Sequence, residues 1–273
     1  QVRPMFPVFW GISGWYRTTC AEGSFSLVSG LHASFVARVS TEKLYQEDPY
    51  IKECRAIVTG IADHAVILDR SVFYCQGGGQ PGDTGVLALT DGRLLKVVNT
   101  ITEQETGEQL HVLDGDETLP ALGVEVTARI DWDRRYGFMR MHSCMHMLCA
   151  VIDAPVTGGS VSEGRARLDF DLPDPIDKGE VTEALNELIQ QDKLRHFRWI
   201  TDEELQSQQD LVRTMSVSPP VGQGRVRLVE FEGIDLQPCG GTHVARSGEI
   251  GPVRVSKIEK KGKQNRRVIV EFA

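Results

Sequence analysis

Four residues constrain this chain more than its composition does. His142 and His146 stand four apart in RRYGFMRMHSCMHMLCAVID, a stretch that reads as a buried helix ending near Asp153-Ala154-Pro155. That spacing puts both imidazoles on one helix face, close enough to share an ion. Cys239 and His243 stand four apart in QPCGGTHVA, on a glycine-rich turn. Three imidazoles and one thiolate are a mixture that zinc accepts readily. If the four meet, the fold must bring a helix against a turn that lies about 90 residues further along.

Other ligands compete poorly. Cys144 is two positions from His142 and points to the other side of the helix. Cys149 is seven positions from His142, about 10 Å along the axis. Both are expected to be buried packing residues. His32, His64, His111 and His196 have no spacing partner. A zinc protease of the HExxH kind is excluded, because Ser143 follows the first His and Met145 precedes the second. A purely structural zinc stays open, since four protein ligands close a site. Gly240 and Gly241 favour function, because they let backbone approach a ligand, and Thr242 adds a hydroxyl.

The chain has 273 residues, long for one domain and comfortable for two. Residues 1–40 mix aromatics, Gly and Ser without period and are expected to be an extension outside the main fold. Residues 41–130 alternate short β-branched runs with Pro-Gly and Asp-Gly turns, which suggests a small β-barrel. Residues 131–273 carry helices and strands in an order that suggests an α+β domain with antiparallel sheet. Thr201 is an expected helix N-cap. Six scattered cysteines argue for a reducing, cytoplasmic setting without disulfides. No apolar run approaches the length that crosses a membrane. The net charge of −8 excludes general affinity for phosphate backbones, but residues 251–273 hold seven Lys or Arg against two Glu.

The second motif is YCQGGGQPGDTG, residues 74–85, a tight polar turn that lacks the lysine of a phosphate loop. Taken together, GGGQPGDTG, HSCMH, CGGTH and IGPVRVSKIEKKG occur in an order that resembles the free-standing alanyl-tRNA editing proteins of medium length. The chain is also similar to the editing domain of alanyl-tRNA synthetase. The resemblance covers about residues 41–273.

It implies an α+β fold with a small N-terminal barrel ahead of a zinc-binding editing domain, and a hydrolase that removes serine or glycine from alanine tRNA while sparing alanine. It implies His142, His146, Cys239 and His243 as ligands of one Zn2+ per chain. It places Gln80, with Gly78 and Gly79, near the amino-acid pocket, beside Gly240 and Gly241. Ser143, Thr242 and Gln80 are the candidates to read the serine hydroxyl, with TGGS at 157–160 behind them, and Asp83 is expected to cap the turn. Lys257, Lys260, Lys261, Lys263, Arg266 and Arg267 are candidates for the phosphates of the tRNA(Ala) acceptor end. A monomer is expected, and without an ATP-binding aminoacylation segment no charging activity. Two departures bear on substrate preference: Ser143 where the family commonly has Thr, and Cys75-Gln76 where it often has Pro-Glu. A zinc-stabilised RNA-binding module without catalysis is the alternative, and a wide gap between Gln80 and the ligand cluster would favour it. A third reading, an unrelated zinc hydrolase, has no use for the basic tail.

Overall fold

The computed structural model describes residues 40–115, 118–208, 212 and 224–273. The expected extension at 1–40, apart from residue 40, and His32 within it lie outside the described residues.

Alternating burial builds the first layer. After β1 (Glu42–Lys43) come β2 (Glu53–Ala62), β3 (Ala65–Leu68), β4 (Arg70–Ser71), β5 (Gly85–Leu89), β6 (Leu94–Thr102), β7 (Gln109–Leu113) and β8 (Glu125–Ile130). Six of these close into a barrel in the order β2-β3-β7-β6-β5-β8, and β8 pairs antiparallel with β2 to shut it. Closure leaves no unpaired edge. Val58, Val66, Leu68, Phe73, Leu87, Val97 and Ala128 point inward and are fully buried or nearly so. His111, which has no spacing partner in the sequence, sits in this core: its Nδ1 donates to the Val66 carbonyl at 3.1 Å and its Nε2 faces the Ser71 hydroxyl at 2.7 Å. Burial pushes it down to about 4, so the ring is neutral.

The rest of the chain holds α1 (Trp132–Val151), β9 (Val156–Ser162), β10 (Arg165–Asp171), α2 (Lys178–Gln190), β11 (Arg195–Ile200), α3 (Asp202–Ser207), β12 (Val226–Phe231), β13 (Asp235–Pro238), β14 (Val253–Lys260) and β15 (Asn265–Phe272). Among the described residues the sequence expectation of one antiparallel sheet resolves into two. One runs β14-β15-β10-β9, the other β11-β12-β13. They differ because the β12–β13 hairpin turns its pairing toward β11, whereas β10 pairs on both sides with β9 and β15.

Helix α1 is buried from Met141 through Cys149 on every side. A helix apolar all round belongs inside a fold. Its N-cap is Asp131, whose carboxylate accepts the Arg134 N–H at 3.3 Å. Trp132 packs against both the barrel core and the second core, so the helix starts at the junction of the two. Thr201 caps α3 in a full capping box with Glu204, as the sequence predicts.

Candidate metal centre

The glycine motif is a loop between β4 and β5, pinched at its base. Tyr74 N–H donates to Asp83 Oδ2 at 2.7 Å and Asp83 N–H to the Tyr74 carbonyl at 2.9 Å. At its tip Gly77 and Gln80 exchange backbone hydrogen bonds of 3.1 and 2.9 Å around Gly78 (φ +54) and Gly79 (φ +79). Positive φ at both central residues is the type I′ turn, which favours glycine. A side chain at Gly79 would also meet the Gly159 carbonyl at 2.6 Å, because the turn lies on β9.

Asp83 does more than cap the turn. It forms a buried ion pair with Arg135 of α1, whose guanidinium also donates to the carbonyls of Pro49 at 3.0 Å and Val72 at 2.6 Å. The loop is therefore fixed to the helix that carries the histidines, and Gln80 reaches them. Its Oε1 lies 2.8 Å from His142 Nδ1 and 3.1 Å from the Thr242 N–H, and its Nε2 donates to the Thr242 hydroxyl at 2.9 Å. The gap that would have favoured a non-catalytic module is closed by this bond.

His142, His146, Cys239 and His243 come together, with one ligand atom from each within 4.8 Å of the others. Cys239 Sγ is 3.4 Å from His142 Nε2 and 3.5 Å from His243 Nε2. A tetrahedral zinc with bonds of about 2.0–2.3 Å has ligand–ligand edges of roughly 3.3–3.8 Å, and these two edges match it. The outer partners fix the tautomers. His142 Nδ1–H donates to Gln80, and His146 Nδ1–H donates to Asp235 Oδ2 at 2.7 Å, so both Nε2 atoms point inward. Such partners orient imidazoles toward a metal. Burial raises the Cys239 thiol, but the imidazoles of His142 and His243 outweigh it and hold the group well below the usual thiol range. A thiolate is the form that binds metal.

The metal loop is clamped from behind. Arg227, 4% exposed, donates to the carbonyls of Cys239 at 3.1 Å and Gln46 at 3.0 Å, and also to that of Gly241. Glu249 accepts from Tyr50 Oη at 2.7 Å, Tyr136 Oη at 3.0 Å and the Ala245 and Arg246 N–H groups. Ser143 Oγ accepts the Val244 N–H at 3.1 Å.

A cavity of about 360 Å³ opens at the cluster. Its lining includes apolar Met145, Cys149, Val156 and Leu168 and polar Lys43, Gln46, Gln76 and Thr102. Of the sequence candidates, Gly78, Gly240, Gly241 and Gly159 of TGGS line it with His142, His146 and Cys239. Gly79, Gln80, Ser143 and Thr242 do not, and the side chains of the last three are 1% exposed or less and bonded to the metal loop or its histidine. Thr157 of TGGS is bonded to the Asp169 carbonyl and to Asn265.

Four of the six basic-tail candidates have partners. Glu259 holds Lys257 at 2.5 Å and Lys261 at 2.9 Å, and Asp169 holds Arg267 through two bonds of 2.7 Å. Arg266 is buried and donates to the Pro173 carbonyl. Lys260 and Lys263 are exposed. Sequence reasoning missed Asp235, Arg135 and Arg227. Asp235 lies four positions before Cys239, yet nothing in EGIDLQPC marks it as a histidine partner. No helix among the described residues is long and apolar enough to cross a membrane.

Comparison with known proteins matches residues 226–269 to the threonyl and alanyl tRNA synthetase second additional domain, and residues 35–134 to the class II (A) tRNA synthetases. An alanyl-tRNA editing protein AlaX-M of Methanosarcina barkeri is 37% identical over 238 residues, covering 84% of this chain and 97% of the relative. One from Saccharolobus solfataricus is 37% identical over 233 residues, with the same coverage. An alanine–tRNA ligase of Pyrobaculum calidifontis is 32% identical over 234 residues, covering 81% of this chain but 25% of the ligase.

Proposed function

This chain belongs to the AlaX-M family of alanyl-tRNA editing proteins, and from that premise we propose that it hydrolyses the ester linking serine, or glycine, to alanine tRNA and spares the alanine ester. The observation that carries the reading is the Gln80–His142 bond, which joins the glycine motif of the barrel to the ligand cluster in one site.

His142, His146, Cys239 and His243 would hold one Zn2+. Bound there, the ion supplies charge that polarises or positions the aminoacyl end. With four protein ligands, positioning is the role that the donor set favours. The chain's own groups do the rest. Gln80 and Asp235 hold the two helix histidines in the tautomers that present Nε2. Arg227 fixes the Cys239 and Gly241 carbonyls, so the intervening backbone keeps one conformation beside the ester. Gly240 has no heavy atom within 4 Å of where a Cβ would stand, which leaves room for the substrate's approach. Met145, Val156 and Leu168 offer apolar contact to the amino-acid side chain. Ser143 and Thr242 act as positioning residues for the loop, not as readers of the substrate hydroxyl, because their own hydroxyls are buried and bonded.

The experiment is a deacylation time course on alanine tRNA charged with serine, glycine or alanine. Serine is expected to be released faster than alanine at the same protein concentration. Equal release of serine and alanine, or release of neither, contradicts the reading.

A further inference from the structure

An editor of aminoacyl RNA must hold a phosphodiester close to the ester it cleaves, and a chain with net charge −8 must do so with a local cation. The basic tail is a poor source. Lys257, Lys261 and Arg267 face Glu259 or Asp169, Arg266 is buried, and neither Lys260 nor Lys263 lines the cavity. Arg227, beside the cluster, is committed to three backbone carbonyls.

Lys43 differs from all of these. It ends β1, the two-residue strand whose parallel pairing with β4 sets Lys43 against Ser71, just before the glycine loop. It is half-buried, and it lines the same cavity as His142, His146 and Cys239. Among the described residues no carboxylate lies within 4.0 Å of its ammonium group, whereas its neighbour Glu42 is 3.2 Å from Arg70. The cavity is lined both by polar side chains (Gln46, Gln76 and Thr102) and by apolar ones (Met145, Val156 and Leu168). An aminoacyl nucleotide is mixed in the same way: its amino acid is on O2′ or O3′ of the ribose and its phosphate on O5′ of that ribose. With the ester at the cluster, the phosphate comes within the cavity that Lys43 lines.

We propose that Lys43 binds the phosphate on the 5′ side of the terminal, aminoacylated nucleotide, as a substrate-binding residue of the editing site. The inference rests on the proposed editing function for the identity of the substrate, and on the cavity for the position of the anion.

Adenosine and adenosine 5′-monophosphate are the probes, because they differ only in that phosphate. Their binding to the metal-loaded protein is measured by calorimetry and as inhibition of seryl-tRNA deacylation. The wild type is expected to prefer the monophosphate about tenfold, with a preference that weakens as salt rises. Lys43→Ala and Lys43→Gln should lose the preference while keeping their metal content and their affinity for adenosine, and Lys43→Arg should retain it. Equal binding of the two probes by the wild type, or a preference that survives in Lys43→Ala, overturns the assignment. A wild type that prefers the monophosphate through Lys43 yet deacylates nothing would support the anion site and sink the editing reading, so the two failures are distinct.

Discussion

Gly241→Ala is expected to lose at least about 10²-fold in deacylation and most of its bound metal, although it removes no polar group. A Cβ at this position would lie 2.1 Å from His142 Cε1 and 2.3 Å from Nδ1. Neither partner can give way. The ring is held by the Gln80 carbonyl oxygen at 2.8 Å, and the loop by Arg227 and the Thr242 N–H. The metal histidine must therefore turn or the loop must lift, and either moves a ligand by about an ångström. A misplacement of that size costs about a hundredfold in rate. Gly240→Ala is the control: its Cβ meets nothing within 4 Å, so metal should stay bound while substrate is hindered. Metal analysis of the two purified variants, beside deacylation rates, separates them. Full metal in Gly241→Ala would mean that the backbone around Cys239 is softer than its hydrogen bonds imply.

Arg135→Met is the second large effect, and it acts on stability. The guanidinium is wholly buried, and its loss leaves the Asp83 carboxylate, 1% exposed, without its cation. Breaking a buried pair in this way costs about 3–5 kcal/mol, whereas replacing both partners by groups of similar shape can be nearly neutral. Arg135→Met should lower the denaturant midpoint strongly, and the double variant Arg135→Met with Asp83→Asn should recover part of the loss. Activity should not recover in the double variant, because the guanidinium's bonds to the Pro49 and Val72 carbonyls, which tie the chain beside the glycine loop to α1, are lost with Arg135. Restored activity without restored stability would show that the loop seats itself without the ion pair.

The sequence made the ligands legible because their spacing is a property of one helix turn and one glycine turn. It also made Gln80 legible as part of the site, but not its role, which depends on a bond to His142 across 62 positions. Asp235 stayed hidden because its place opposite His146 is set by the β12–β13 hairpin. TGGS read as a weaker candidate for the substrate hydroxyl; it lies in β9, and Gly159 lines the cavity. A side chain at Gly159 would meet Leu168 at 2.8 Å, and one at Gly79 would meet the Gly159 backbone. Those glycines serve close packing, which composition cannot distinguish from a turn. The basic tail was visible as charge, but the pairing of Arg267 was not, since Asp169 lies 98 positions before it. Lys43 went unnoticed because a single lysine in TEKLY carries no pattern.

The four-residue cluster, loaded with one metal ion, is the proposed place of ester cleavage. A titration of chelator-stripped protein with Zn2+, following release of serine from alanine tRNA, tests it. No activity is expected without metal, and in the wild type a rise that ends at one equivalent, with no rise in His142→Ala. Full activity in the stripped protein, or activity restored in His142→Ala, would contradict it.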